Sequence, residues 1–235
     1  MGEDLKNLRS EIDAIDESLL ISLSKRMQIS KEIVKAKGNN LAFRPGREAK
    51  LISRLICQIR TKNLELSPQA ALSIWRQIMA VSLGQQNKGL YCAVHPEIIA
   101  TAVWHLGNKF TVSSSDTIEE LFSEVSSGKC NYAFVPDTGV NQDLAKALNS
   151  FPDLFLIART PILEIPNILP AFIIAAVLPD PSDSDVSIFL KKSDVNGLDL
   201  VSFEGYHKTT PIEMPYLRGV GNELSIFYWS KTEYF

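Results

Sequence analysis

The sequence predicts a protein of two parts, an all-α segment of three helices followed by a small α/β or α+β domain. Apolar residues recur every three or four positions through the first part, which is typical of amphipathic helices. Asn87-Lys88-Gly89 interrupts this pattern with residues that favour turns. Beyond it, short apolar runs typical of strands are mixed with helical segments. We therefore divide the chain into residues 1–88 and residues 89–235.

The first predicted helix is long and carries one continuous apolar stripe. Gly38-Asn39-Asn40 is expected to end it, because glycine and asparagine tolerate the left-handed conformation of a helix C-cap. A three-helix segment with one helix of this length cannot bury the stripe by itself, so dimerisation is expected. The stripe consists of Leu5, Leu8, Ile12, Ile15 and Leu19, continued by Leu23, Met27 and Ile33-Val34.

Proline and serine mark the starts of two shorter helices. Pro45 suits the first turn of the second helix, where its missing N–H group costs nothing. That helix is expected to run to about Ile59. Ser67-Pro68 combines an N-cap residue with a first-turn proline, and the third helix continues to about Gln86.

The second part contains several strand-like segments and one clear helical pattern. We predict a helix over residues 118–125. Arg159-Thr160 is expected in a loop because Pro161 follows it. Asp180, Asp183 and Asp185 form an acidic turn with too few ligands for a metal ion. The predicted strands cover residues 90–94, 109–112, 132–135, 154–158, 172–177, 186–190 and 224–228.

Composition restricts the class of protein. A net charge of −3 gives no support for nucleic-acid binding. Three widely spaced cysteines without metal-ligand spacing indicate reduced thiols and no metal site, which is typical of a cytoplasmic protein. The N-terminus lacks the apolar core of a signal peptide. The longest apolar run, residues 168–178, is too short to span a bilayer, so no membrane association is expected.

Four basic residues of the first part, Arg9, Arg26, Lys37 and Arg47, suit a small substrate with two carboxylates, because arginine binds carboxylates in bidentate fashion. At about 100° per residue, Arg26 and Lys37 lie about 20° apart and share one helix face. Arg9 lies about 25 Å from Arg26 along the axis. If Arg9 serves the same site, it comes from the partner in an antiparallel dimer.

The first part resembles the all-helical chorismate mutases from about residue 5 to residue 86. The resemblance implies a domain-exchanged homodimer with two shared active sites, chorismate as the substrate and no cofactor. It is carried by Leu8-Arg9-Ser10-Glu11-Ile12-Asp13-Ala14-Ile15-Asp16, Leu23-Ser24-Lys25-Arg26, Ile33-Val34-Lys35-Ala36-Lys37, Arg44-Pro45-Gly46-Arg47-Glu48 and Ile78-Met79-Ala80-Val81-Ser82 with Gln86.

The resemblance implies roles for individual residues. Arg26 and the partner's Arg9 would hold the substrate carboxylates, with Arg47 as a further binding arginine. Lys37 and Gln86 would donate hydrogen bonds to the ether oxygen of chorismate.

Three more positions complete the implied site. Glu48 would accept a hydrogen bond from the ring hydroxyl, and Ser82 would make a lesser contact. Many members of the family have aspartate where this chain has Arg44, which puts a ring-hydroxyl contact at that position in question. Because Gln86 is neutral, activity is expected not to require low pH.

Residues 89–235 resemble a degenerate, truncated prephenate dehydratase region. The family's glycine-rich loop, its Glu-Asn-Ser segment and its catalytic Thr-Arg-Phe segment correspond here to His95-Pro96-Glu97, Asp137-Thr138-Gly139 and Pro170-Ala171-Phe172. Since these replacements lack the functional residues, we expect no dehydratase activity.

Two other functions remain open from the sequence. An isochorismate–pyruvate lyase uses the same helical fold for a related pericyclic elimination. A non-catalytic module that senses shikimate-pathway metabolites would bind ligand without turnover. The complete basic set together with Glu48 and Gln86 favours chorismate mutase over both.

Overall fold

The N-terminal part of the computed structural model consists of α1 Gly2–Lys37, α2 Pro45–Thr61 and α3 Pro68–Gln86. These bounds confirm the three predicted helices and the proline starts of the second and third. The expected stop of α1 at Gly38-Asn39-Asn40 lies outside the described residues. The structure describes residues 2–37, 43–86, 90–138, 142–182, 185–193, 197–207 and 218–224.

Helices α2 and α3 pack through apolar side chains spaced at helical intervals. Ile52 and Ile56 of α2 are buried against Leu72 and Met79 of α3. Spacings of four and seven residues place these side chains on one face of each helix. The middle of α2 is thereby held against α3.

The second part is built on an eight-stranded mixed sheet with the order β2-β1-β3-β5-β4-β8-β6-β7. Strand β1 is parallel to both of its neighbours, whereas β5 is antiparallel to β3 and β4. The strands are β1 Tyr91–Val94, β2 Thr111–Ser114, β3 Tyr132–Pro136, β4 Phe155–Thr160, β5 Ala171–Ala175, β6 Asp185–Ser193, β7 Gly197–Glu204 and β8 Arg218–Leu224.

Helices cover both faces of the sheet. On one face, Phe172 and Ile174 of β5 pack with α5 Ile118–Ser126 and α6 Gln142–Ser150. On the other, the alternate β5 residues pack with α4 Ile99–Leu106, which follows a short 3-10 helix. The period of two along a strand explains this division. The predicted α/β class with mixed strands and helices is confirmed.

The two parts share one of these core layers. Phe43, Ala49 and Leu83 of the helical part belong to the same buried cluster as Leu106 and Phe134 of the second part. Gln77 also donates through Nε2 to the backbone oxygen of Trp104 at 3.1 Å. The helical part therefore completes the apolar layer that α4 begins. The division at residue 88 stays a prediction, and Asn87-Lys88-Gly89 lies outside the described residues.

Several local predictions need correction. Arg159-Thr160 is not in a loop: both residues end β4, because Thr160 is buried and pairs with Ala171 of β5. Strand β7 and helices α4 and α6 were absent from the predicted elements. Strand β8 ends at Leu224, where the last predicted strand begins, and residues 225–228 lie outside the described residues. Among the described helices, none is long and apolar enough to cross a membrane.

Candidate active site

A cavity of about 230 Å³ lies among the three N-terminal helices. It opens between the C-terminal half of α1, the N-terminus of α2 and the C-terminal half of α3. Its lining combines three arginines and one carboxylate with apolar side chains, the composition expected of a pocket for a small polyanion. The lining residues are Arg26, Ile29, Ser30, Ile33, Arg44, Arg47, Glu48, Leu51, Met79, Ser82 and Leu83.

Arg26 is the basic residue that α1 contributes to this cavity. Arg26, Ile29, Ser30 and Ile33 follow the three-four spacing of one helix face. The Arg26 Nη1 atom donates to Ser82 Oγ at 2.5 Å. The Ser82 hydroxyl in turn donates to the backbone oxygen of Ile78 at 2.9 Å. Since its own proton is used on α3, Ser82 presents a lone pair to Arg26 and fixes the direction of the guanidinium.

The charge of Arg26 is set by its surroundings. Burial lowers the pKa of the Arg26 guanidinium, the Glu48 carboxylate opposes that shift, and Arg47 adds to it. An arginine whose pKa is lowered by burial still carries its proton at neutral pH, because the guanidinium is not deprotonated in proteins. The cavity therefore holds clustered positive charge, which a ligand with two carboxylates would neutralise.

Helix α2 brings Arg47 and Glu48 to the cavity in its first turn. Glu48 is ion-paired with Arg76 of α3, with 2.5 Å between Oε2 and Nη1. The Arg76 side chain is 3% exposed and that of Glu48 is 17% exposed. Arg76 is not among the residues that line the cavity, so it holds Glu48 from the buried side of α3.

Sequence reasoning missed Arg76. A signal was present: Leu72, Arg76, Met79 and Leu83 follow one face of α3, so an arginine occupies a position of the buried stripe. A buried arginine needs a partner charge, because an isolated buried charge is very costly. The Nε and Nη2 atoms of Arg76 find no hydrogen-bond partner among the described residues. Glu48 is consequently the main compensation for this charge.

Arg44 also lines the cavity, and it is ion-paired with the second part of the chain. Its Nη2 and Nε atoms lie 3.0 and 3.1 Å from Asp180 Oδ2. The other oxygen of Asp180 accepts from the backbone N–H of Gly46 at 3.2 Å. Asp180 belongs to the acidic turn that sequence reasoning set aside, and Asp183 of that turn lies outside the described residues.

The structure does not bring every predicted site residue together. Arg9 is exposed on α1 and is not among the residues that line the cavity. Lys37 and Gln86 are the last residues of α1 and α3, and their side chains lie outside the described part of the structure. Both residues end helices that border the cavity, and their roles as hydrogen-bond donors stay predictions.

The second part offers different chemistry at the predicted dehydratase positions. Asp137 follows β3 and is ion-paired with Arg159 at 2.5 Å, so each charge is compensated. His95 accepts a hydrogen bond from the backbone N–H of Glu97 through Nδ1. Pro170 contributes its backbone oxygen to the N–H of Asp137 at 3.0 Å. In the described ranges, no cluster of three or more His, Cys, Asp or Glu side chains could hold a metal ion.

His105 is buried between the two parts of the chain. Its Nδ1 atom lies 2.8 Å from Thr160 Oγ1. Burial lowers the pKa of His105 well below 6.5, and the charge of Arg76 adds to the shift. Because its ring is enclosed and its charged form is disfavoured by burial, His105 is a structural residue between the two parts of the chain.

Comparison with known proteins places the helical part in context. Residues 8–87 match the family model for chorismate mutase type II. A protein of Aquifex aeolicus named "Bifunctional chorismate mutase/prephenate dehydratase" is 30% identical over 160 residues, covering 66% of this chain and 43% of the relative. A Pseudomonas aeruginosa protein of the same name is 30% identical over 164 residues, with the same two coverages. The chain therefore spans less than half the length of these curated relatives.

A solved structure titled "GqqA- a novel type of quorum quenching acylases" covers 60% of this chain and 98% of its own chain. Its TM-score is 0.42 and its sequence identity is 14%. At these values the likeness carries no conclusion about fold or function.

Proposed function

We propose that this protein rearranges chorismate to prephenate in phenylalanine and tyrosine biosynthesis, because residues 8–87 match the family model for chorismate mutase type II. The observation that carries the proposal is that Arg26, Arg47, Glu48 and Ser82 together line one cavity. These residues come from three helices, and each has the type that a dicarboxylate with a ring hydroxyl requires.

The reaction needs positioning and electrostatic stabilisation. It breaks one C–O bond and forms one C–C bond within the same molecule, so no nucleophile or proton transfer is involved. Arg26, oriented by Ser82, would bind one carboxylate and hold the flexible substrate in its reactive conformation. Arg47 would add binding energy, and Glu48 would accept from the ring hydroxyl.

Negative charge grows on the ether oxygen as the C–O bond breaks. We assign the donors for this charge to Lys37 and Gln86, which end the two helices bordering the cavity. Loss of one such preorganised donor lowers kcat by about 10²–10³. Lys37→Ala should therefore abolish most of kcat, whereas Arg47→Ala should mainly raise KM. Near-wild-type turnover of Lys37→Ala would remove this role from Lys37.

The proposal includes a homodimer with shared sites. The apolar stripe of α1 is left open to solvent within one chain, with Leu8, Ile12 and Ile15 57%, 58% and 59% exposed. Contiguous exposed apolar surface of this kind marks an interaction site. A second α1 lying antiparallel on this stripe would cover it and bring the partner's Arg9 towards Arg26.

Mixed dimers test the shared site directly. Arg9→Ala and Arg26→Ala are each expected to be inactive alone. The two variants are mixed in equal amounts while denatured and are then refolded together. If each site takes Arg26 from one chain and Arg9 from the other, each heterodimer then has one intact site. That amounts to about a quarter of wild-type activity. A mixture as inactive as its components would refute the shared site, and sedimentation of the wild type checks the dimer itself.

For the second part, we propose that it does not act as a dehydratase. The support comes from its residues: Asp137 and Arg159 neutralise each other, and Pro170-Ala171-Phe172 lacks a threonine and an arginine. Incubating the purified chain with chorismate, isochorismate and prephenate separately tests all assignments. We expect prephenate from chorismate, no salicylate from isochorismate and no phenylpyruvate above the uncatalysed rate. We place this activity in the cytoplasm.

A further inference from the structure

The N-terminus of α2 is capped from the second part of the chain. The N-cap residue Arg44 makes no side-chain cap hydrogen bond. The first N–H groups of a helix need acceptors, and negative charge is favourable there. Asp180 Oδ1 accepts from the N–H of Gly46 at 3.2 Å. Asp180 therefore accepts the first-turn N–H hydrogen bond that the side chain of an N-cap aspartate normally accepts.

The same carboxylate fixes one wall of the cavity. Asp180 Oδ2 lies within 3.1 Å of both Nε and Nη2 of Arg44, a two-atom contact that defines the orientation of the guanidinium. Arg44 lines the cavity next to Arg47 and Glu48. Asp180 thus holds Arg44 and also the first turn of α2, which carries Arg47 and Glu48.

Asp180 is itself held in place on both sides. The Tyr206 hydroxyl donates to the backbone oxygen of Pro179 at 2.9 Å. The N–H of Ser182 donates to the buried Asp185 carboxylate, 2.9 Å from Oδ2. A residue whose neighbours are fixed by hydrogen bonds can impose its position on another element.

The contact with α2 is also sterically tight. A Cβ atom on Gly46 would lie 2.3 Å from the backbone oxygen of Asp180, which no side chain can tolerate without displacing the backbone. On the preceding side, Phe43 is buried edge-to-face against His105 and Tyr132, with ring centroids 5.3 and 5.4 Å away. The entry into α2 is therefore anchored in the second part over several residues.

From these contacts we infer that Asp180 is a positioning residue for the mutase cavity, holding the first turn of α2 so that Arg47 and Glu48 face the substrate. This inference rests on the proposed mutase function. It also gives the second part a role in that reaction without a catalytic site of its own.

The test uses three variants of the full chain. Asp180→Ala removes both contacts, whereas Asp180→Asn keeps a cap acceptor, because asparagine caps helices as well as aspartate does. Asp153→Ala is the matched control, since Asp153 accepts a hydrogen bond from Ser126 in the same part of the chain and does not line the cavity. Steady-state kinetics on chorismate and peptide-level hydrogen exchange over residues 45–49 are measured for each.

Asp180→Ala is expected to raise KM about fivefold to tenfold, to lower kcat, and to speed exchange over residues 45–49 by a similar factor. Asp180→Asn should keep KM within about threefold of wild type, and Asp153→Ala should match wild type. A merely less stable protein would lose active enzyme and hence kcat, but its KM would not change. Unchanged KM and exchange in Asp180→Ala would overturn the inference. An inactive wild type would instead refute the proposed function, and the exchange result would still decide whether Asp180 holds α2.

Discussion

The Glu48–Arg76 ion pair leads to an asymmetric stability prediction. With 2.5 Å between Oε2 and Nη1, the two side chains compensate each other, but Arg76 is 3% exposed and Glu48 is 17% exposed. Glu48→Gln leaves the more deeply buried charge without its partner. Removing one member of a buried pair costs about 3–5 kcal/mol. We expect Glu48→Gln to lower the free energy of unfolding by an amount in this range.

Arg76→Met should cost less. The remaining Glu48 carboxylate still faces Arg26, whose pKa it raises, and it has access to water at the cavity. Methionine fills a position of the buried stripe between Leu72 and Met79 without a charge. The expected loss is that of a charge-assisted hydrogen bond, about 1.5–3 kcal/mol. The double variant Glu48→Gln/Arg76→Met should be more stable than Glu48→Gln alone, because it no longer contains a buried arginine without a partner charge.

Equilibrium unfolding in urea measures these differences at one fixed chain concentration, since an associating protein gains apparent stability with concentration. The reasoning fails if Arg76→Met is the more destabilising single change, or if the two losses simply add in the double variant. Activity separates the roles further. The double variant should regain stability over Glu48→Gln without regaining turnover, because Glu48 is the proposed acceptor for the ring hydroxyl.

Three further predictions concern the interface and the thiols. Because burial keeps the pKa of His105 low, only the unfolded chain protonates this histidine below about pH 6.5. The free energy of unfolding should therefore fall below that pH by up to about 1.4 kcal/mol per pH unit, and urea titrations should show a smaller slope for His105→Gln. Gly84→Ala, with its Cβ 3.5 Å from the nearest atom, should stabilise the protein by about 0.5–1 kcal/mol in thermal melts, whereas Gly46→Ala should destabilise it. At pH 8 a disulfide reagent should modify only the exposed Cys57 rapidly, because Cys92 and Cys130 are buried and burial raises the pKa of Cys130 to about 11. A fast phase that persists in Cys57→Ser would contradict this.

Local backbone chemistry made part of the fold predictable. Pro45 and Ser67-Pro68 mark helix starts because a proline in the first turn and a serine cap act within one turn of the chain. Helix α6 was missed although its own residues carry the signal, since Leu144, Ala145, Ala147 and Leu148 are buried at helical spacing. Strand β7 is only partly buried and carries no clear alternation. A strand of this kind is fixed by pairing with its neighbours in the sheet and cannot be deduced from its own residues.

The same distinction holds for the cavity. Arg26, Arg47 and Glu48 could be proposed from helical spacing and family resemblance, since those signals are contained in the helical segment. The Arg44–Asp180 contact joins residues 136 positions apart, and only the folded chain brings them together. No periodicity connects a helix start with a turn between two strands, so a site residue of this kind is invisible before the fold is known.

The departure at Arg44 gains a physical explanation from that contact. Where many chorismate mutases carry aspartate just before the second helix, this chain carries an arginine that cannot cap the helix. A carboxylate is nevertheless present at the N-terminus of α2, because Asp180 reaches the N–H of Gly46 and binds the arginine. In this chain the second part therefore supplies the negative charge at the start of α2. If this carboxylate is what keeps α2 in place, adding Arg44→Asp to the full-length Asp180→Ala variant should recover part of the affinity for chorismate that Asp180→Ala loses, because an aspartate at the N-cap can itself accept from the N–H of Gly46. Equal KM values for Asp180→Ala with and without Arg44→Asp would show that the carboxylate at this helix start has no part in substrate binding.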